Sequence, residues 1–392
     1  MPDVIIVGGG LEGCSAAYAL AQRGVTDVTI LERDTVGSGG TGKSSGIVRC
    51  HYGVPSLAAM AAKSLTTFET AADWYGEDIG FRQTGYVVGV GPQNVGAIRA
   101  SLENQRAVGV ETIEVGHDFV ADLWPDAQLD DFATFAYEAR GGYGDAYLTA
   151  QAFSAAARRL GVTLKQSTRV SGIVVEGGRA VGAELSDGTR VSASTVVLAA
   201  GPWSVALLAG QGIDLPITVH REGIVLVDPG KQLGPVPVFS DLVSLQYVRA
   251  EAGGQILFGN SDLAVLEPAD PDRYPNAADE REIEQTAVKM SHRFPGLPDA
   301  GVASTYSGCY DVTPDFNPVI SHTPIEGLIV AAGFSGHGFK ISPAVGDLIA
   351  DLVLDGKSND PLVPDRDFRL SRFAEGDLLL SPHPYVGAGQ MR

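Results

Sequence analysis

Val4-Ile5-Ile6-Val7-Gly8-Gly9-Gly10-Leu11-Glu12-Gly13 is the stretch of sequence that decides the fold of this chain. Its first four residues are apolar and β-branched, which is typical of a strand buried on both faces. A helical pattern follows from Cys14 to Arg23, and Gly24 ends it. A second apolar run, residues 28–31, ends at Glu32. This order, with an acidic residue about 20 positions after G-x-G-x-x-G, predicts a dinucleotide-binding unit.

Each glycine of the motif has its own part in binding a dinucleotide. Gly8 allows the tight turn, Gly10 lets backbone N–H groups approach a pyrophosphate, and Gly13 lets the helix pack against the strand. Glu32 would accept hydrogen bonds from a ribose 2′-hydroxyl, which argues against a 2′-phosphate. The motif alone does not separate FAD from NAD. The residues predicted to contact the dinucleotide here are Gly8, Gly10, Leu11, Glu12, Gly13, Glu32 and Arg33.

Composition narrows the class of protein. A chain of 392 residues that is 44% hydrophobic can bury a sizeable core, and its length predicts two domains. The formal net charge of −19 argues against nucleic acid or an anionic membrane as a partner. Its 3 cysteines form no metal or disulfide pattern, which favours a reduced, cytoplasmic setting. We expect neither a signal peptide nor a membrane span.

Further apolar runs end in glycine at residues 195–201 and 328–333, with strand-rich stretches between them. We therefore predict an α/β fold in which a Rossmann-like domain is interleaved with an antiparallel, β-rich substrate domain. The predicted nucleotide-binding domain is discontinuous, and its segments are residues 1–80, 145–215 and 300–392. The predicted substrate domain comprises residues 81–144 and 216–299. We also predict a helix over residues 55–75 and Asn94 as the cap of a helix over residues 95–108.

Two more motifs give the chain its resemblance to a known family. They are Gly40-Thr41-Gly42-Lys43-Ser44-Ser45-Gly46-Ile47-Val48-Arg49, and Tyr310-Asp311-Val312-Thr313-Pro314-Asp315 followed by residues 331–340. With the first motif, they make the chain resemble the FAD-dependent amine oxidoreductases of the D-amino-acid oxidase superfamily. Within that superfamily the chain is most similar to the branch of sarcosine oxidase (β-subunit-like) and dimethylglycine dehydrogenase. The resemblance extends from Val4 to about Gly356 and implies FAD as the cofactor.

The resemblance also implies which residues contact FAD. Glu32 would bind the adenosine ribose, and the backbone of Val170 would bind the adenine. The loop from Gly333 to Gly338 offers N–H groups at a helix N-terminus, where negative charge on a reduced flavin would be stabilised; a plain glycine-rich cap is the alternative. The further predicted contacts are Gly40, Thr41, Lys43, Ser44, Ser45, Gly46, Val170, Ala200, Gly201, Trp203, Gly308, Tyr310, Gly333, Phe334, Ser335, Gly336, His337, Gly338, Phe339 and Lys340.

Five residues are candidates for the chemistry. The resemblance implies that Arg49 and Lys340 clamp a substrate carboxylate, for which a guanidinium and an ammonium are well suited. Tyr247 would contact the substrate from a strand over the flavin, with a core tyrosine as the alternative. His51 and His337 are candidates for tuning or proton transfer, with structural histidines as the alternative.

The implied reaction is hydride transfer to flavin N5 from a small amino acid or a sarcosine-like N-methylated or secondary amino acid. The imine product then hydrolyses. Oxidation of a primary or cyclic amino acid (glycine- or proline-like) is the alternative within the class. A flavoprotein subunit that needs a partner, in a homo- or hetero-oligomer, and a domain acting on a modified nucleoside are alternatives outside it. A disulfide reductase is disfavoured because the sequence has no suitably spaced cysteine pair.

The chain departs from the family pattern at three positions. Gly308 stands where the monomeric oxidases have a Cys that tethers FAD, and Cys309 is one residue away. Lys43 stands where the dimethylglycine dehydrogenase branch has a tethering His. Non-covalent FAD is therefore expected. Leu257 stands where an oxygen-activating Lys is expected, which leaves oxygen or another electron acceptor open.

Overall fold

The computed structural model describes residues 3–262 and 266–387. The strands are β1 (Val4–Val7), β2 (Val28–Leu31), β3 (Ile47–Val48), β4 (Tyr86–Val90), β5 (Ile113–Val115), β6 (Thr134–Glu138), β7 (Gly142–Tyr143), β8 (Thr163–Lys165), β9 (Val170–Glu176), β10 (Arg179–Leu185), β11 (Arg190–Ser192), β12 (Thr195–Leu198), β13 (Thr218–Asp228), β14 (Val238–Asp241), β15 (Gln246–Ala250), β16 (Ile256–Asn260), β17 (Glu267–Pro268), β18 (Gly301–Val312), β19 (Val319–His322) and β20 (Leu328–Ala332). The α-helices are α1 (Leu11–Gln22), α2 (Pro55–Glu69), α3 (Ala71–Tyr75), α4 (Val95–Ala107), α5 (His117–Leu123), α6 (Ala146–Arg159), α7 (Ser204–Ala209), α8 (Glu280–Arg293), α9 (Ser342–Asp355) and α10 (Arg372–Glu375).

A six-stranded sheet carries the first motif. Its order is β19-β20-β12-β1-β2-β8, with β19 antiparallel and the other neighbours parallel. Every residue of β1 and β2 is buried, because helices α1, α2, α6 and α9 cover one face while β9–β11 and α7 cover the other. This burial on both faces explains the continuous apolar runs in the sequence. The predicted α/β fold class is confirmed.

A second, larger sheet is mostly antiparallel. Its order is β17-β13-β16-β15-β14-β4-β6-β5, and β18 pairs with β13. Its two faces carry separate apolar clusters, one around Trp124 and Phe239 and one around Tyr86 and Tyr247. Strand β18 joins this sheet although its sequence was assigned to the nucleotide-binding segment. The division into two domains therefore stays a prediction, and its boundary near residue 300 does not follow the sheets.

Local differences from the sequence predictions have physical causes. The helix expected over residues 55–75 is two helices that meet at Thr70. Asn94 precedes α4, but its side chain makes no capping bond there. It exchanges hydrogen bonds of 3.1 Å and 2.8 Å with the backbone of Val386 instead. A distant partner has thus replaced the local N–H group that a cap would bind.

The chain beyond α9 is tied to the sheets by a buried ion pair. Arg372 Nε lies 2.8 Å from Asp315 Oδ2, and both side chains have no exposed surface. Asp315 also accepts from the backbone N–H of Leu379 at 3.0 Å. These bonds fix the segment that follows Tyr310. In residues 3–262 and 266–387, each helix is too short or too polar to cross a bilayer.

Candidate functional site

A cavity of about 440 Å³ lies between the carboxyl ends of β1, β2 and β12 and one side of the second sheet. Ligands of open α/β sheets bind at this edge, where strand order reverses. The predicted site residues that line it are Gly8, Gly10, Leu11, Glu12, Glu32, Arg33, Gly40, Thr41, Lys43, Ser44, Ser45, Val170, Ala200, Gly201, Trp203, Tyr247, Gly308, Tyr310, Phe334, Gly336, Gly338 and Phe339. Segments that are far apart in the sequence therefore meet at one cavity.

The glycine turn is built as its sequence predicts. Gly8 has a φ of +111°, and a Cβ there would lie 2.3 Å from the carbonyl oxygen of Ala199. A Cβ on Gly13 would lie 2.1 Å from the carbonyl oxygen of Gly8. Gly10 is the N-cap of α1 and has no side chain to cap it, and the N–H of Leu11 donates to Thr41 Oγ1 at 3.1 Å. The positive end of α1 thus faces the cavity.

Glu32 holds the turn as well as lining the cavity. Its Oε2 accepts from the backbone N–H of Gly9 at 2.7 Å, and its Oε1 accepts from the N–H of Asp34 at 2.8 Å. A carboxylate oxygen has lone pairs for more than one donor, so these bonds leave acceptor capacity for a ribose hydroxyl.

Arg33, Trp203 and Asp272 form a cluster at the cavity edge. The sequence predicted the first two as site residues but not Asp272. The guanidinium carbon of Arg33 lies 4.0 Å from the centroid of the Trp203 ring. Asp272 joins the two, since its Oδ1 accepts from Arg33 at 2.8 Å and from Trp203 Nε1 at 2.9 Å. These bonds, with burial opposing them, keep the pKa of Asp272 below its usual value. Asp272 lies in an irregular stretch and carries no sequence signal that would have revealed this role.

Two carboxyl groups lie at the loop from Gly333 to Gly338, here called the late glycine loop. A Cβ on Gly338 would lie 2.6 Å from Glu12 Oε1, so the loop passes directly over that carboxyl. Burial raises the pKa of Glu12 to about 7, a backbone hydrogen bond opposes this, and nearby Asp311 adds to it. Asp311 Oδ2 accepts from the N–H of Gly333 at 2.8 Å, and burial raises its pKa to about 6 in spite of such bonds.

The remaining predicted glycines and Ser335 shape the loops behind the cavity wall. A Cβ on Gly46 would lie 2.0 Å from the carbonyl oxygen of Gly144, and one on Gly333 would lie 2.4 Å from Thr313 Cγ2. Ser335 is buried, and its hydroxyl accepts from the N–H of Thr313 at 3.3 Å. The close packing at these positions explains why only small residues fit there.

Arg49 is buried beside the late glycine loop. Its guanidinium carbon lies 4.4 Å from the centroid of the Tyr52 ring, and its Nη1 donates to the carbonyl of His51. Glu138, which the sequence analysis missed, accepts from the N–H of Cys50 at 2.8 Å. Burial raises the pKa of Glu138 to about 7, although that bond and Arg49 oppose the rise. Burial would lower the pKa of Arg49, but Tyr86, Tyr52 and Glu138 outweigh it and raise the value.

His337 connects Arg49 to the late loop through Tyr52. The Tyr52 hydroxyl lies 3.2 Å from His337 Nδ1, and His337 Nε2 lies 2.7 Å from the carbonyl oxygen of Phe316. Because a carbonyl only accepts, Nε2 carries the proton and Nδ1 accepts from the tyrosine. Lys340, also buried, follows Gly338 and Phe339 of the cavity lining.

His51 is fully buried in a polar cluster. Its Nε2 lies 2.8 Å from the Tyr385 hydroxyl, and its Nδ1 lies 3.2 Å from the amide nitrogen of Gln105. Arg49, His51, His337 and Lys340 are all buried, and the described residues that line the cavity do not include them. The roles of His51 and His337 in tuning or proton transfer stay predictions.

The second sheet supplies an aromatic and acidic wall. Tyr247, Tyr310, Ile224 and Glu222 all line the cavity there. The pKa of Tyr310 is well above its usual value because of burial, with nearby Tyr247 and Glu222 adding to it. A Cβ on Gly336 would lie 2.5 Å from the Tyr310 ring, so this glycine makes room for the aromatic wall. Glu222 was missed; its signal was a charged residue at the start of the apolar run 223–227.

The cavity fits FAD by its shape and its donors. Only glycine satisfies the cradle at Gly8, where a side chain would strike backbone. The N-terminal end of α1 and the acceptor Glu32 match a pyrophosphate and a ribose, and the same lining includes Tyr247 and Tyr310. One cavity thus contains a dinucleotide site and a part lined by Tyr247 and Tyr310, which we call the aromatic chamber.

Comparison with known proteins agrees with this geometry. The model of the FAD dependent oxidoreductase (DAO) family matches residues 3–352. The sarcosine oxidase subunit beta of Arthrobacter sp is 28% identical over 386 residues, covering 96% of this chain and 92% of that protein. The subunit of the same name from Rhizobium meliloti (strain 1021) is 30% identical over 398 residues, covering 96% and 89%.

Solved structures share the fold. L-proline dehydrogenase from P. horikoshii has a TM-score of 0.88 and 25% identity, covering 96% of this chain and 99% of that one. Glycine oxidase from Bacillus cereus ATCC 14579 has a TM-score of 0.77 and 24% identity, covering 92% and 97%, and shows a shared fold. The chain belongs to the DAO family of FAD-dependent oxidoreductases.

Proposed function

We propose that this enzyme oxidises a small secondary or N-methylated amino acid that resembles sarcosine. The observation that carries the proposal is the continuity of the cavity, from the Gly8 turn and Glu32 to the wall of Tyr247 and Tyr310. A substrate in the aromatic chamber would lie next to the reactive part of a dinucleotide held by the turn. When bound, FAD supplies the oxidising chemistry, because flavins accept hydride.

The substrate carboxylate would be held by Arg49 and Lys340, whose side chains would turn toward the substrate when it binds, since neither lines the cavity beforehand. Both cations are buried. Lys340 follows the Gly333–Gly338 loop in the sequence, and Arg49 is connected to that loop through Tyr52 and His337. A buried guanidinium that neighbours aromatic rings is weakly hydrated, so it exchanges little water for a carboxylate. In this role Glu138 would balance the charge of Arg49 while the site is empty.

The amine must be neutral before its carbon releases hydride, because the nitrogen lone pair becomes part of the imine double bond. Cations near the carboxylate and the low polarity of the chamber favour the neutral amine. The imine then takes up water. Loss of an N-methyl group gives formaldehyde and the shorter amine, whereas oxidation at the other carbon gives a 2-oxo acid.

An anaerobic panel followed by flavin absorbance tests the proposal. The panel contains N-methylated, cyclic and primary amino acids of both configurations, each with its methyl ester as the matched control. We expect an N-methylated amino acid to bleach the flavin, and its ester to react far more slowly. Equal rates for acids and esters would reject the carboxylate clamp. Bleaching by none of the amino acids would reject the function.

A cyclic secondary amino acid is the second candidate substrate. The likeness to L-proline dehydrogenase from P. horikoshii supports it, since that structure covers nearly the whole chain at a TM-score of 0.88. The same panel separates the two candidates by which amine reduces the flavin faster. A primary amino acid that reacted fastest would reject both.

A partner subunit is a further proposal, supported by relatives named as beta subunits that match over most of their length. The partner would take electrons or products from the site. Size measurement of the native protein from its own cells, compared with the purified chain, tests this. The same size in both would reject a stable partner.

A further inference from the structure

Glu222 borders two cavities. It lines the main cavity together with Tyr247 and Ile224. It also lines a second cavity of about 30 Å³ between β13, β16 and α8, beside Gln246, Glu282 and Lys289. A cavity of that volume with polar walls holds about two waters. Glu222 therefore lies between the substrate chamber and a polar pocket beneath the surface helix α8.

The groups that face Glu222 come from several elements. Arg221 precedes it on β13, Glu282 and Lys289 act on its charge from α8, and Asp262 and Tyr310 interact with it from the chain after β16 and from β18. Only 9% of Glu222 is exposed. Burial raises the pKa of Glu222 to about 8; Glu282 and Asp262 add to the rise, whereas Arg221 and Lys289 oppose it.

Arg221 is committed to other carboxylates. It lies 3.0 Å from Glu267, 3.0 Å from Asp279 and 2.8 Å from Glu282. Arg221 thus balances the charges beside the second cavity, and the carboxylates that it pairs with do not include Glu222. A carboxyl group in this position is poised to gain and lose a proton near neutral pH.

We propose that Glu222 takes the proton from the ammonium group of the substrate and passes it to solvent through the second cavity. One N–H bond breaks, its electron pair stays on nitrogen as the lone pair, and an O–H bond forms on Glu222. Water in the second cavity then takes the proton, and Glu222 returns to the carboxylate. This inference rests on the proposed amine oxidation, which it completes by supplying the base.

The test is the pH profile of anaerobic flavin reduction in wild type and Glu222→Gln. In the wild type, the second-order rate constant of reduction should rise with pH up to the pKa of Glu222 and then level. In Glu222→Gln it should keep rising until the ammonium of the substrate itself ionises, and it should be about 10²-fold lower below the wild-type break. Glu222→Asp, which keeps a carboxyl group but places it one methylene further from the substrate, should retain a break but reduce the flavin more slowly than the wild type.

Glu280→Gln is the matched control, because Glu280 is an exposed acid at the start of α8. It should leave the profile unchanged. A wild-type profile in Glu222→Gln would overturn the inference while leaving amine oxidation intact. If Glu222→Gln lost its FAD, the break in the Glu222→Asp profile would decide instead, since a break at the wild-type pH with unchanged rate would show that another group is titrating. No flavin reduction by any amine in the wild type would reject the proposed function itself.

Discussion

The side chain of Lys43 packs against Gly308 so closely that a Cβ added to this glycine would lie 2.7 Å from Lys43 Cβ. These are the two positions where the family resemblance places covalent tethers. They lie together on the cavity wall, and neither carries a Cys or a His. Lys43 Nζ donates to Asn276 Oδ1 at 2.7 Å, so the ammonium group of Lys43 is held by Asn276.

We expect the FAD of this enzyme to be non-covalent. Cys309 lines the same wall, but burial raises its pKa to about 11, with Arg221 opposing, so little of its thiol is the nucleophilic thiolate. Acid precipitation of the purified protein should leave the flavin in the supernatant. Flavin in the pellet that survives denaturant washing would contradict this, and Cys309→Ser would then show whether Cys309 is the anchor.

Gly308→Ala should weaken FAD retention and lower stability by about 1–3 kcal/mol, since overpacking displaces neighbouring groups. The neighbour here is a Cβ next to backbone, which cannot rotate away. The double variant Lys43→Gly/Gly308→Ala should recover FAD content relative to Gly308→Ala alone. Thermal unfolding and FAD content measure both effects. Equal stability of Gly308→Ala and wild type would show that the wall yields more easily than its geometry indicates.

Arg49→Ala and Lys340→Met should each lower kcat/KM. A hydrogen bond to a charged partner contributes about 1.5–3 kcal/mol, which corresponds to roughly 10- to 150-fold. Arg49→Lys tests geometry separately, because it keeps the charge but loses the planar pair of donors. Lys63→Met is the matched control, since Lys63 pairs with Asp347 at the surface. Wild-type kcat/KM with full FAD in both site variants would exclude the clamp.

Reoxidation by oxygen should be slow compared with reduction of an artificial dye. Leu257 is fully buried and packs in the same cluster as Ile224 and Tyr247, which line the cavity. The position is thus on the cavity side of the sheet but is apolar. Leu257→Lys should speed the oxygen reaction in stopped-flow mixing of reduced enzyme with oxygen, whereas Leu257→Met should not. If oxygen reoxidised the wild-type enzyme at oxidase-like rates, another cation would be activating oxygen in place of a Lys at position 257.

Glu12→Gln should change how the stability of the apoprotein depends on pH. Folding raises the pKa of Glu12 from 4.5 to about 7. The folded state thus holds this proton more tightly than the unfolded state does, and its stability falls as pH rises from 4.5 to about 7. Glu12→Gln should remove that decline, so its advantage in denaturant unfolding should grow across this range and then level. Parallel curves for both proteins would contradict the assignment.

The sequence predicted the elements that bury their residues completely. Strands β1, β2, β12 and β20 were predicted because a strand covered on both faces needs an unbroken apolar run. Strand β18 was missed, since its first four residues are exposed and most of the rest are small or polar. Its partner β13 imposes the extended conformation, and such long-range pairing leaves little local signal.

The sequence predicted the part of the site that one local motif forms. It did not predict the part that forms where distant segments of the chain meet. The glycine turn and Glu32 are local, and their positions agree with the cavity. Glu222 and Asp272 reach the site from separate strands and loops, so no spacing in the sequence marks them. Glu138 reaches Arg49 through the pairing of β4 with β6, whereas Tyr52 is only three residues from Arg49 and its ring contact has no sequence signature.

The order of strands in the six-stranded sheet has a consequence during synthesis. Strand β1 is made first, but β12 lies between β1 and β20, and β20 comes from residues 328–332. A ribosome must therefore release most of the chain before the sheet is complete. The Asp315–Arg372 ion pair, which fixes the segment after Tyr310, forms later still. The cavity is thus complete only after these residues have been synthesised, and a nascent chain that ends before β20 would expose the apolar edge of β12.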